Sequence, residues 1–582
     1  MSQTFAKSMR VSGGKTDIRF AVFSVGLILA GAICILRLGK LQVVDHKIYG
    51  VLASDQHDLE TKLLPNRGRI FIKESNESQL YPLAANREAW TLYAVPKNMK
   101  DPIKNAQLLS PILGIPDVDL IAKLNKPDDP YEGLAKDVPY ENIKAIKDLD
   151  LDGLGYSTQD ARMYPEKNMG GQVIGLVTPD DQGNLIGRYG IESSFQDVLA
   201  GKPGALVSEK DATGRRLTFA DQTFHDAVDG ADVVLTLDRS VQYKACELVR
   251  RGVLDYEADN GSILIMDPQT GAIIAMCSYP DFDPGDFKNV TDVSVFNNSL
   301  VFEAYEPGSV FKAVTMASGI EAGKISPNTT YTDNGVEEID DFKIKNSDGK
   351  ANGVQTMQQV MEKSLNTGTI FVERQLGRTA FLDYVKKFGF GQKTNLGLKP
   401  EAAGDISSLD KKGDIFAATA SFGQGITVTP IQMLNAYAAL ANQGKMMKPY
   451  IVSEIIYPDG HHEVIKPEVA GQPVSSRTAR LMSGMLVSTI ENGHGKQAAV
   501  PGYWVAAKTG TAQVAKKGGG GYEATEIKAT MAGFAPADDP RFVMLVKFDN
   551  PRKSDWAETC AAPVFGEMAS FMLHYYEIKP VR

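Results

Sequence analysis

Seventeen consecutive residues, 20–36, carry no charge, and Arg19 and Arg37 bound them. An all-round apolar helix of that length fits a hydrocarbon core of ~30 Å once Leu38 and residues 41–44 extend it and Arg37 and Lys40 snorkel. The chain is therefore expected to cross a membrane once, over residues 20–41. Ahead of the run, Lys7, Arg10, Lys15 and Arg19 face a single acid, Asp17. By the positive-inside bias, residues 1–19 are expected in the cytoplasm and the remaining ~540 residues on the far side. No small-x-small cleavage site follows, which favours a retained anchor over a removed signal peptide.

With 582 residues, 43% of them hydrophobic, the chain can bury several cores, enough for roughly two to four domains. A net charge of -9 and the lack of a basic stripe with interleaved aromatics exclude a nucleic-acid binder. Cys34, Cys246, Cys277 and Cys560 lie far apart and have neither zinc-site nor disulfide-framework spacing, so all four are expected to be small buried hydrophobes. The seven histidines include the pair His461 and His462 but no His-x-x-x-His. No metal and no cofactor is expected.

Residues 51–229 are mixed in pattern and hold no catalytic constellation. Two glycine turns, 65–70 and 187–192, are packed with arginine and acid and are expected to pair charges structurally. Asp229-Gly230-Ala231-Asp232 is a turn and the expected domain edge. After it come a strand at 233–237, a helix at 240–255, and strands 262–266 and 272–278 joined as a hairpin through 267–271. Helices are expected at 356–376, at 429–442 with Thr429 as cap and Pro430 at the first helical position, and at 475–492. Strands at 503–514, 528–534 and 541–548 precede a last helix at 557–576, with a flexible glycine tip at 516–521. Strands, then helices, then strands describe an α+β fold, an antiparallel sheet with helices packed on it.

Within that frame, Glu306-Pro307-Gly308-Ser309-Val310-Phe311-Lys312 is a turn that opens an apolar helix. Ser309 and Lys312, three residues apart, share its face. Ser309 is suited to be a nucleophile, because the unpaired N–H groups of a helix start stabilise an alkoxide and an oxyanion. Lys312 can take its proton if burial and a second cation lower the lysine pKa. The spacing recurs at Ser12/Lys15, so it does not decide alone. Two companions follow: Ser364-Leu365-Asn366, 55 residues after Ser309, and a unique Lys508-Thr509-Gly510-Thr511 on an expected strand. This ordered set resembles the penicillin-interacting serine acyltransferases. In such a site Lys508 is the second cation, Ser364 relays a proton, and Asn366 holds Lys312 and a substrate amide. Lys508, Thr509 and Thr511 meet a carboxylate, Gly510 lets a substrate backbone approach, and the N–H groups of Ser309 and Thr511 form an oxyanion hole.

Residues 67–70, 162–165 and 187–192, together with 305–312, 507–513 and 561–565, extend the resemblance to class B penicillin-binding proteins, monofunctional peptidoglycan D,D-transpeptidases, most similar to the septal, cell-division type. The resemblance implies an elongated α/β pedestal over 42–229, then a transpeptidase domain over 230–582 with a five-stranded antiparallel sheet between helices. It implies a stem pentapeptide and an acceptor peptide as substrates, β-lactams as inhibitors and an inner-membrane location facing the periplasm. It also implies a polytopic glycan polymerase and other division proteins as partners. The alternatives are an elongation-type enzyme and a non-catalytic anchored division scaffold.

Overall fold

The computed structural model describes residues 18–44, 58–75, 77, 79–167, 169–180, 184–209, 222–516 and 521–581. The expected leader before Ile18 and most of the glycine tip, 517–520, lie outside them. The chain forms two compact units, one of residues 1–64 and 203–227, the other of 65–202 and 228–582.

The first unit holds one long apolar helix, Ile18–Gly39, whose last residues continue in a wider turn, Lys40–Val44. The 22–42 stretch is long and apolar enough to span a bilayer, and no protein buries it. The same unit contains a three-stranded antiparallel sheet of Asp58–Leu63, Gly204–Glu209 and Gln222–His225.

Two large sheets frame the second unit, with four two-stranded ribbons beside them among the described residues. One is five-stranded and antiparallel, in the order Ile273–Tyr279, Asn260–Met266, Phe542–Asp549, Tyr522–Ala535, Ala506–Ala515. Alternate residues of each strand serve opposite cores. Leu264, Met266, Ala532 and Leu545 pack with the helices Lys312–Glu321 and Pro430–Ala441 on one face. Ile263, Ile265, Met531 and Val546 pack with Arg239–Asp255 and Ala561–Tyr575 on the other. Covering both faces is why these strands read as apolar runs rather than as alternating ones. The hairpin at 260–279, the strands and the capped helices come where the sequence puts them. Thr429 caps its helix with Pro430 next, and Ser475 caps Ser476–Glu491.

The other sheet has seven strands, ordered His462–Val464, Val452–Ile456, Asp232–Asp238, Ile70–Lys73, Leu80–Ala94, Glu132–Val138, with Leu154–Met163 also pairing Leu80–Ala94. Asp232–Asp238 runs parallel to Ile70–Lys73 and antiparallel to Val452–Ile456, so it joins early and late parts of the chain. The two arginine-glycine patches meet beside this sheet. Arg67 Nε donates to Glu192 Oε2 and Arg162 Nε to Glu192 Oε1, each at 2.7 Å, with side-chain exposures of 3%, 2% and 0%. Asn86 completes the knot, donating to Arg67 O at 2.6 Å and accepting from Arg162 Nη1 at 2.8 Å. This is the structural charge pairing expected of those turns.

Two expectations fail. Cys246 and Cys277 are joined in a disulfide, while Cys34 is exposed and only Cys560 is a free buried thiol. Sequence spacing could not reveal the pair: the helix Arg239–Asp255 lies across the strand Ile273–Tyr279 and brings the two Cα atoms to 5.3 Å. The single helix expected over 356–376 is two helices, Met357–Lys363 and Asn366–Leu376. Ser364 breaks it with φ of +56°, a left-handed conformation usually left to glycine or asparagine.

Candidate active site

The Ser309 turn is held by glycines. Gly308 has φ of +59°, and a Cβ there would stand 3.0 Å from the Cβ of Ala512. Its N–H donates to Gly423 O at 3.0 Å, and a Cβ at Gly423 would sit 2.3 Å from Gly308 O. Tyr437, fully buried, donates its hydroxyl to Val310 O at 2.9 Å. A short turn, Gly308–Phe311, then feeds the helix Lys312–Glu321, whose residues 312–320 are all buried.

Against this turn lies the strand Ala506–Ala515. Residues 508, 510 and 512 share one of its faces by alternation. A Cβ at Gly510 would fall 2.9 Å from Val310 N and 3.1 Å from Pro307 O. The bare face of this glycine seats the Ser309 turn. Thr511 Oγ1 accepts from Ala557 N at 3.0 Å, which ties the strand to the segment before the last helix.

Lys312 is fully buried, and its Nζ donates to Ser364 O at 2.6 Å and Asn366 Oδ1 at 2.7 Å, with Ser364 Oγ at 3.3 Å. The helix break at Ser364 serves this contact, since the left-handed residue turns both its carbonyl and its hydroxyl to the amine. Such strain is kept where surrounding contacts over-determine it. Burial, and then the charge of Lys508, hold the Lys312 amine well below the ordinary lysine range. Lys508 is 1% exposed, and burial pushes it down to about 7 against the pull of Glu558. Its Nζ donates to Thr509 O at 3.0 Å. Neither amine is hydrogen-bonded to a carboxylate among the described residues.

The structure thus brings Ser309, Lys312, Ser364, Asn366 and the 508–511 strand together from three distant stretches. Sequence reasoning missed the Ser421–Gly425 turn under Gly308, Tyr437, and the acid Glu558 near Lys508. The first left a trace in two glycines two residues apart, Gly423 and Gly425, both with positive φ. The others left none. No group of three or more candidate metal ligands occurs among the described residues.

Comparison with known proteins finds matches over both parts of the chain. Residues 261–570 match the penicillin-binding protein transpeptidase domain, and residues 62–235 match the penicillin-binding protein dimerisation domain. Stage V sporulation protein D of Bacillus subtilis is 33% identical over 98% of this chain and 88% of its own length. The peptidoglycan D,D-transpeptidase FtsI of Escherichia coli is 28% identical over 97% of this chain and 92% of its own. Among solved structures, penicillin-binding protein 3 from Mycobacterium tuberculosis, complexed with aztreonam, is 27% identical with a TM-score of 0.68, covering 90% of this chain and 98% of that one. With both domain matches in series and a one-third identical relative along nearly its whole length, this chain belongs to the class B penicillin-binding proteins, whose transpeptidase domain follows a dimerisation domain.

Proposed function

We propose that Ser309 is the nucleophile of a peptidoglycan D,D-transpeptidase that works at the division septum. The observation that carries the chemistry is the buried Lys312 amine, fixed between Ser364 and Asn366 one helical turn after Ser309. A neutral amine directs its two N–H bonds at Ser364 O and Asn366 Oδ1 and keeps its lone pair free. That lone pair takes the Ser309 proton as Oγ bonds the carbonyl carbon of the penultimate D-alanine. The tetrahedral oxyanion forms where the N–H groups of Ser309 and Thr511 point. Collapse breaks the peptide bond, and the proton reaches the leaving D-alanine amine through Ser364. An acceptor amine from a neighbouring stem peptide then attacks the ester carbonyl and gives its proton to Lys312; the bond from that carbon to Ser309 Oγ breaks, Lys312 hands the proton back to Oγ, and a cross-link is left. Two easier steps replace one hard one. Lys508 and Thr509 hold the substrate carboxylate, and β-lactams acylate the same Ser309.

Residues 1–19 are assigned to the cytoplasm, 20–41 to the inner membrane, 42–229 to a non-catalytic pedestal and 230–582 to the transpeptidase, on the outer face. The apolar first helix supports the anchor, and the Cys246–Cys277 disulfide, a bond that persists in oxidising compartments, supports export. A relative named FtsI supports the septal reading, in which a polytopic glycan polymerase and other division proteins are the partners.

Mass mapping tests the nucleophile: after penicillin treatment the adduct is expected on the peptide that holds Ser309, and an adduct elsewhere refutes the assignment. Imaging a tagged copy tests the subtype, with a midcell band expected and dispersed wall patches pointing to elongation. A pH profile tests Lys508. The second-order acylation constant reports the free enzyme, so for a carboxylate-bearing penicillin it is expected to fall as pH rises through about 7 and Lys508 loses its charge. Lys508→Arg, charged throughout, is expected to remove that alkaline limb; a limb that survives it belongs to another group.

A further inference from the structure

The helix Asn366–Leu376 begins without a side-chain cap of its own, because Leu365 occupies the cap position. The first N–H groups of a helix need acceptors, and here one comes from a remote hairpin. Asn346 Oδ1 accepts from Thr367 N at 3.3 Å. The same amide donates through Nδ2 to both carboxylate oxygens of Asp333 at 3.0 Å, which fixes its orientation so that the oxygen faces the helix.

Asp333 is 1% exposed and accepts more than this. Gly335 N lies at 2.9 Å, Asn352 N at 3.0 Å, Asn352 Nδ2 at 2.8 Å and Thr367 Oγ1 at 2.8 Å. Burial works to raise its pKa, but these hydrogen bonds, led by Asn352, outweigh burial and keep it below the ordinary carboxylate range. One residue before Thr367, Asn366 is gripped by the same hairpin: its Nδ2 donates to Lys345 O at 2.9 Å, which leaves Oδ1 for the amine of Lys312.

We propose that Asp333 is a positioning residue for acylation: by orienting Asn346 and holding Thr367, it sets the start of this helix and so aims the Asn366 amide oxygen at Lys312. Asp333 touches no substrate. Through Asn346 and Thr367, its buried carboxylate ties the paired strands Thr330–Asp333 and Gly353–Thr356 to the start of the helix whose Asn366 amide, with Ser364 O, orients the base. The inference rests on the role given to Lys312 above.

The test is a mutant cycle on the full-length protein in detergent, read as the second-order rate of acylation by a fluorescent penicillin, with a thermal melt beside each variant. Asp333→Asn is expected to slow acylation about tenfold alone, yet less than about twofold when Asn366 is already alanine, because residues acting through one contact are not additive. A wild-type rate in folded Asp333→Asn overturns the proposal, as does the same tenfold loss in both backgrounds, which is what a merely stabilising hairpin would give. If Asp333→Asn does not fold, Asn346→Ala is judged by the same two outcomes. Lys312→Met separates the two ideas. Undiminished acylation in that variant removes the base itself, whereas slow acylation together with an additive cycle removes only the positioning role.

Discussion

Ser309→Ala is expected to abolish covalent labelling by a fluorescent penicillin, and Lys312→Met to slow it by about a thousandfold or more with little change in melting temperature. The first loss is total because no other hydroxyl of the constellation lies on the turn that Gly308, Gly423 and Gly510 hold against the sheet. The second is large because a general base contributes ~10²–10⁴ in rate, and methionine keeps the packing of the stem while deleting the amine. Stability is spared for a physical reason. A buried amine costs desolvation free energy even when hydrogen-bonded, so removing it also removes that cost. The orphaned acceptors Ser364 O and Asn366 Oδ1 cost some of it back. Stopped-flow labelling with intact-protein mass detection checks the rates. A Lys312→Met protein that labels at the wild-type rate would move the base to another residue.

Glu192→Ala is expected to destabilise the second unit by about 3–5 kcal/mol, the size found when a buried ion pair loses one partner. The carboxylate is fully enclosed and serves two guanidinium groups that are themselves 3% and 2% exposed, so its removal leaves two buried cations facing each other. Neither can reach water without unpacking Tyr164 and the glycine turns at Gly187 and Gly190, where added Cβ atoms would overlap backbone at 1.9 Å and 2.4 Å. Urea unfolding of the wild type and the variant measures the difference. A midpoint within error of wild type would mean that the knot is hydrated. By contrast Arg69 and Asp232, paired at 2.7 Å but with the arginine more than half exposed, should lose under about 1 kcal/mol on Arg69→Ala.

Much of the catalytic sheet was legible because its strands are buried on both faces and its helices carry explicit stop and start signals, such as Thr429-Pro430 and Ser475. The candidate site was legible because its three motifs keep a fixed order and residue chemistry, although 144 residues separate Ser364 from Lys508. What stayed hidden depends on tertiary contact alone. Ser364 looks like any helical serine until Lys312 claims its carbonyl. Cys246 and Cys277 look unrelated until a helix crosses a strand. Gly510 gives no sign in sequence that it seats the Ser309 turn, because a strand glycine has two sides and sequence does not say which one is crowded. Asp333 and Asn346 sit in a polar stretch with no period, where a buried hydrogen-bond network reads as an ordinary loop.

The strand Asp232–Asp238 lies between neighbours that begin at residues 70 and 452. The chain therefore cannot complete this sheet in the order in which it is made: one flank of the strand finds its mate behind it, and the other must wait for more than two hundred further residues. Until that later segment arrives, the waiting flank is an open edge with unpaired N–H and C=O groups. A product truncated anywhere between residues 238 and 452 would keep that edge permanently, which makes such fragments targets for aggregation or proteolysis rather than smaller working enzymes.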